Sequence, residues 1–156
     1  MNRGFEFTTT STLNLPRTQL WQEVTNMQGV NYELAPFVKM TLPKEYEQFT
    51  IQDAPVGEKL FTSIILFFKF IPVDIHHFRL DQVVTNERFE ENSTSLMHQF
   101  WRHTRILRRI ENGTEITDVI QFLPRLPLIG YLLQPVYQFV FRNRHQRLRN
   151  KFNIIN

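Results

Sequence analysis

Three side chains of charge-bearing type, His103, Arg105 and Asp118, stand where a β-hairpin would gather them onto one face. The strongest short hairpin signal in the chain is Asn112-Gly113, since both residues tolerate the positive φ of a type I′ turn. With these two as the loop, Glu111 faces Thr114 and Leu107 faces Asp118. The strand period of two then places Trp101, His103, Arg105 and Leu107 on one side with Ile116, Asp118, Ile120 and Phe122. Asp118 becomes the diagonal neighbour of Arg105, within reach of a long side chain. The apolar company predicts that this face looks inward. Further along, Leu133, Tyr137, Val140, Phe141, Leu148, Phe152 and Ile155 recur at helical spacing, with Arg144 inside that stripe and His145 at its edge. Those two reach the same interior from the opposite side.

Charge in an apolar interior must be paired, because an unpaired ion there is strongly destabilising. Two arrangements satisfy this. In one, Arg105 and Asp118 pair, with His103 or His145 bonded to them, and pin the helix to the sheet. In the other, they form the polar end of an apolar pocket and meet a carboxylate, phosphate or hydroxyl of a ligand. Catalysis is the secondary reading: His103 beside Asp118 has the makings of an oriented general base, but no Ser-His-Asp order or paired carboxylates accompany it. No catalytic residue is assigned. No metal site is assigned either, since His76 and His77 are adjacent and His98 and His103 differ by an odd number, which puts each pair on opposite strand faces. No cofactor is implied.

The elements that must position these groups follow from the pattern. Phe5 to Thr12 alternates and is rich in Thr, predicting a first strand. Pro16 opens a helix carrying Leu20, Trp21 and Val24, which Gly29 is expected to break, and a second short helical stretch spans Val30 to Leu34. Strands follow at Phe37 to Leu42, Lys59 to Phe70 (ended by Pro72), Val73 to Thr85, Glu87 to Glu91, Thr94 to Glu111 and Thr114 to Phe122. Past Pro124, Pro127 and Gly130 comes one helix of about 20 residues. A curved antiparallel sheet has one face to bury, and a long amphipathic helix buries it. The fold class is therefore α+β of the helix-grip kind: about seven strands wrapped on a C-terminal helix, with two short helices after strand 1.

Composition narrows the classes further. The 156 residues suit one domain spanning 1–156, and 42% hydrophobic against 21% charged residues is a globular mixture. Fifteen phenylalanines predict an interior that is broad and aromatic, or partly open to an apolar ligand. The absence of cysteine excludes disulfides, thiolate metal sites and cysteine nucleophiles. No secretory signal is visible, and no apolar stretch reaches the roughly 18 residues of a spanning helix, so a cytoplasmic protein is expected. Residues 1–100 hold eight basic against twelve acidic residues, net −4, and residues 101–156 hold ten against three, net +7. The basic end suits a helix C-terminus and a solvated face. Without aromatic interleaving or a recognised module, nucleic acid is not an expected partner.

Three stretches carry a family resemblance. They are Trp101-Arg102-His103-Thr104-Arg105, Gly113-Thr114-Glu115-Ile116-Thr117-Asp118 and Phe141-Arg142-Asn143-Arg144-His145-Gln146-Arg147-Leu148. Together with the element order they resemble the SRPBCC superfamily (START-like, pollen-allergen-like and polyketide cyclase-like proteins), and within it the bacterial ligand-binding subgroup. Arg105 stands where that subgroup has a second His, and Leu96-Met97-His98-Gln99 replaces its Gly-Pro-Phe. The resemblance implies an internal cavity between sheet and helix that binds or transports a hydrophobic small molecule or lipid. Its expected ligand-binding residues are Trp101, His103, Arg105, Asp118, Ile120, Phe122, Tyr137, Val140, Phe141, Arg144 and His145. A cyclase- or hydrolase-type enzyme using the same pocket, or an interaction module with a filled cavity, are the alternatives. Bulky residues 126–133, at the expected cavity mouth, are candidates for transient membrane contact. The sequence assigns no oligomeric state.

Overall fold

A computed structural model describes residues 4–153. Strand β1 (Phe5–Leu13) leads through Pro16 into helix α1 (Arg17–Val24), and helix α2 (Met27–Leu34) follows. Six strands come next: β2 (Val38–Met40), β3 (Lys59–Phe67), β4 (Ile71–Val84), β5 (Arg88–Ser95), β6 (His98–Ile110) and β7 (Gly113–Pro124). The 23-residue helix α3 (Gly130–Phe152) ends the described chain. The sheet runs β1-β7-β6-β5-β4-β3-β2 with every neighbour antiparallel. One face curls around α3, which packs on β1, β7 and α2.

The helix break lies three residues earlier than expected. Asn26, not Gly29, separates α1 from α2, because its side chain accepts the Gly29 N–H at 2.7 Å and caps the second helix. Gly29 stays inside α2, where a Cβ would come within 2.0 Å of the Glu23 carbonyl oxygen. Glycine thus lets the two short helices touch. Pro72 does not end a strand but lies within β4, beside a register irregularity between Ile65 and Leu66 of its partner. The expected strand from Thr94 is divided: Thr94 and Ser95 belong to β5, and the chain turns at Leu96-Met97 before β6.

The β6–β7 hairpin is displaced by two residues from its expected register. Ile110 pairs with Gly113, so the turn residues are Glu111 and Asn112, and Arg105 lies directly opposite Asp118. Of the two residues expected at positive φ, only Asn112 has it (65°), so the turn is not type I′. Gly113 serves a different need: a Cβ there would sit 2.2 Å from the Leu13 carbonyl oxygen of β1. A shift of two keeps every side chain on its expected face. Ile155, placed on the helix stripe by its spacing, lies outside the described residues.

The interior divides along its length. Leu13, Leu20, Trp21, Val24, Leu107 and Ile116 close one end as a packed core, each nearly inaccessible. Burying such a side chain contributes about 1.5–3 kcal/mol. Toward the other end α3 stands off the sheet. Pro135 lies inside the helix near its start, and Tyr131, Leu132, Val136 and Phe139 are exposed.

Candidate functional site

The charged residues of the β6–β7 face meet two partners from the helices. Arg105 is fully buried and binds Asp118 through Nε (2.7 Å) and Nη2 (2.8 Å). The rest of its guanidinium donates to both oxygens of Glu33 on α2, at 2.9 and 2.7 Å. Arg144 of α3 adds a bond from Nε to the same Glu33 at 3.2 Å. Asp118 also accepts from His103 and His145, each at 2.7 Å. His145 in turn meets Ser11 Oγ at 2.7 Å, and Arg149 donates to that same oxygen. Sheet, α2 and α3 are thereby tied at one point.

Burial alone would raise both carboxyls, yet the ion pairs win. Arg105, with His103 behind it, holds Asp118 well below the usual carboxylate range, and Arg105 with Arg144 holds Glu33 low. Arg105 is raised, because its two carboxylates outweigh its own burial. Arg144, with one carboxylate partner and Arg105 nearby, is lowered by burial. His103 is lowered by burial in spite of Asp118. It is therefore a neutral imidazole that donates from Nε2 to an ionised Asp118, a tautomer assigned from that bond, and its Nδ1 keeps a lone pair.

Beside this cluster lies a cavity of about 440 Å³. Its apolar walls are Leu34, Val38 and Met40, Ile65 and Phe67 of β3, Val73 and Met97, Trp101 of β6, and Leu133, Val140 and Phe141 of α3. Its polar groups are Asp74, His76, Glu91, His98, His103, Tyr137 and Arg144. Each histidine is backed by a carboxylate. His76 Nε2 meets Glu91 Oε2 at 2.5 Å, and His103 Nε2 meets Asp118. His98 Nδ1 lies 3.4 Å from Asp74 and 2.9 Å from Ser95 Oγ, while its Nε2 meets the Tyr137 hydroxyl at 2.9 Å. Burial, helped by Asp74, pushes the Tyr137 phenol up and keeps it protonated. Asp74 itself is held low by bonds from His98, Ser95 and the Met97 N–H, against the effect of burial.

Of the residues singled out from sequence, Trp101, His103, Tyr137, Val140, Phe141 and Arg144 line the cavity. Arg105, Asp118, Ile120, Phe122 and His145 are buried but are not among the lining residues. His98 and His103 do not point to opposite faces: a register irregularity between His98 and Phe100 turns both inward. Glu33, Asp74 and Glu91 belong to the site although the sequence reading did not single them out, and His76 and His98, weighed there only as metal ligands, belong to it too. For Glu91 a signal existed, since it shares the inward phase of β5 with Phe89 and Ser93. Among the described residues no group of three or more His, Cys, Asp or Glu side chains is arranged to hold a metal ion.

A curled seven-stranded antiparallel sheet gripping a C-terminal helix, with a cavity between them, defines a helix-grip fold. Residues 11–152 match the family model described as "Domain of unknown function (DUF8410)", and the chain belongs to that family. Protein CV1439 from Chromobacterium violaceum is similar in structure, with a TM-score of 0.69 and 15% identity over 96% of this chain and 99% of that one. The Zhui aromatase/cyclase from Streptomyces sp. R1128 aligns with a TM-score of 0.64 and 10% identity over 95% and 93% of the two chains. Ara h 8.0201 aligns at 0.58 and 11% over 94% and 99%. At these identities the likeness is one of fold. A search of curated protein sequences finds no match.

Proposed function

We propose that the protein binds a hydrophobic small molecule or lipid in the 440 Å³ cavity and carries it without covalent chemistry. The observation that carries this reading is a cavity of ligand size, walled by aliphatic and aromatic side chains with a few polar groups set among them. The fold is in keeping with a ligand-holding interior, and its structural neighbours include Ara h 8.0201 and a protein named as an aromatase/cyclase. The test is native mass spectrometry followed by organic extraction. A near-stoichiometric apolar molecule, with a higher melting temperature when it is added back, is the expected result. A clean unliganded mass, with no thermal shift across a library of lipids and aromatics, overturns it.

The rim of the cavity supports loading at a membrane surface. Phe68, Phe70 and Ile71 at the β3–β4 tip, and Leu126, Leu128, Tyr131 and Leu132 before and at the start of α3, are all exposed. Phe37 links the tip to α3, with ring centroids 6.2 Å from Phe68 and 5.0 Å from Phe139. At the tip, Phe68 and Lys69 both hold positive φ, 50° and 74°, a left-handed backbone that costs non-glycine residues about 1–2 kcal/mol each. Lys69 and Arg142 add positive charge, and residues 119–156 contain no acid. Aromatic tips beside cations suit an anionic interface. No helix among the described residues is long and apolar enough to cross a membrane. The carrier is read as cytoplasmic.

One observation favours a second reading. Neutral His103, oriented by Asp118 and lining the cavity, has the protonation state of a general base. Under that reading His103→Ala abolishes turnover of a bound substrate while leaving its affinity in place.

A further inference from the structure

Two acceptors face one another across the head of the cavity. Glu91 and His103 are 5% and 4% exposed, and both line it. Glu91 Oε2 is used twice, by His76 and by the Ser93 hydroxyl at 2.6 Å. Its Oε1 has no hydrogen-bond partner among the described residues, and His103 Nδ1 lies 3.9 Å from it. With the His103 proton committed at Nε2 to Asp118, Nδ1 and Oε1 are both lone-pair atoms. Both residues line the cavity, and a lone pair presented there is answered by a donor from whatever fills it. The separation suits one small group set between them.

The surrounding charge says which donors fit. Arg105 and Arg144 are balanced within the cluster by Glu33 and Asp118, two cations against two anions. Glu91 and Asp74 therefore face the cavity with only histidines as ionic partners. A ligand carboxylate or phosphate would bring a further anion and no hydrogen to these acceptors.

Resting on the carrier reading, we infer that the cavity selects apolar molecules ending in a hydrogen-bond donor, a hydroxyl or an amine, seated between Glu91 Oε1 and His103 Nδ1, and discriminates against fatty-acid-like anions. A hydroxyl gives its single hydrogen to one of the two acceptors, whereas an ammonium can donate to both and forms an ion pair with Glu91 as well. Trp101 and Phe141 hold the apolar body, as His103 stands 5.2 Å from the Phe141 ring.

The test is calorimetric titration of the full chain with four probes of equal length: decane, decanol, decylamine and decanoate. Decanol and decylamine are expected to bind at least about tenfold more tightly than decane, with decanoate no tighter than decane. Decanoate equal to decanol, or decane equal to decanol, overturns the inference while leaving an apolar cavity in place. Silence from all four overturns the carrier reading and the inference with it. Glu91→Gln, which adds a donor at the same position, is expected to narrow the gap between decanoate and decanol by about tenfold. Because that variant also loses its charge partner for His76, nitrogen NMR of the wild-type His103 ring gives an independent check. An unprotonated Nδ1 that shifts when decanol is added is expected, and a protonated Nδ1 in the free protein overturns the inference.

Discussion

The two polar ends of the interior use the same residue types on the same sheet face and are built to opposite standards. Around Arg105 both carboxylates are answered: Asp118 accepts four hydrogen bonds, and Glu33 binds two guanidinium groups. Around Glu91, a few ångströms along the strands, pairing is left incomplete, with His103 Nδ1 facing Oε1 at 3.9 Å. His103 belongs to both, donating to the saturated cluster and presenting its other nitrogen to the open one. Saturation fixes the geometry, and incompleteness leaves something for a ligand to complete.

That contrast can be broken at its saturated side with the largest effect. Arg105→Leu strands Glu33 and Asp118 as buried anions, and denaturant unfolding is expected to show a loss of about 3–5 kcal/mol. A loss under 1 kcal/mol would mean the cluster is not the pin described. The pH dependence comes next. Glu33 and Asp118 are lowered in the folded state, so their contribution is full above their ordinary values of 4.5 and 3.8 and is lost as pH falls from there through the folded values. Melting temperatures across that acid range should fall in the wild type and fall less in Arg105→Leu.

On the open side the effects on stability shrink. Tyr137→Phe removes one partner of His98 and should cost about 1 kcal/mol. It is expected to leave the preference for decanol over decane intact, because Tyr137 is not part of the Glu91–His103 pair. At the rim, Phe68→Ser with Phe70→Ser should change stability by no more than about 1 kcal/mol. The same pair of changes should reduce sedimentation with anionic vesicles by severalfold, and unchanged sedimentation would remove the membrane from the account.

The parts of this design that sequence discloses share a cause. The element order was legible because long alternating strands and a 23-residue amphipathic helix leave few other solutions. Arg105 and Asp118 were placed on one inward face despite a register wrong by two, since only an odd slip changes faces. His98 was misplaced because the irregularity before Phe100 reverses parity, and nothing in Leu96-Met97-His98-Gln99 announces it. Glu33 was not visible at all. An acid on a short helix ordinarily faces water, and the arginine that draws it inward lies 72 residues away. The cavity was inferred from phenylalanine content and family likeness, but its volume depends on how far α3 stands off the sheet, which no local pattern records.

Pro135 has a consequence for how that standoff behaves in time. It can offer no N–H to the carbonyl of Tyr131, whose surroundings are already exposed, so the helical ladder is weakened one turn into α3. The segment ahead of it carries Leu132 and Leu133 and meets the sheet through Tyr131 against Phe5 and a hydrogen bond from Gln134 to the Glu6 carbonyl. The segment after it is anchored by Arg144 and His145. The helix should therefore open as two cooperative units, its amides before Pro135 exchanging with solvent much faster than those around Arg144. The door to the cavity can swing while the hinge post stays folded.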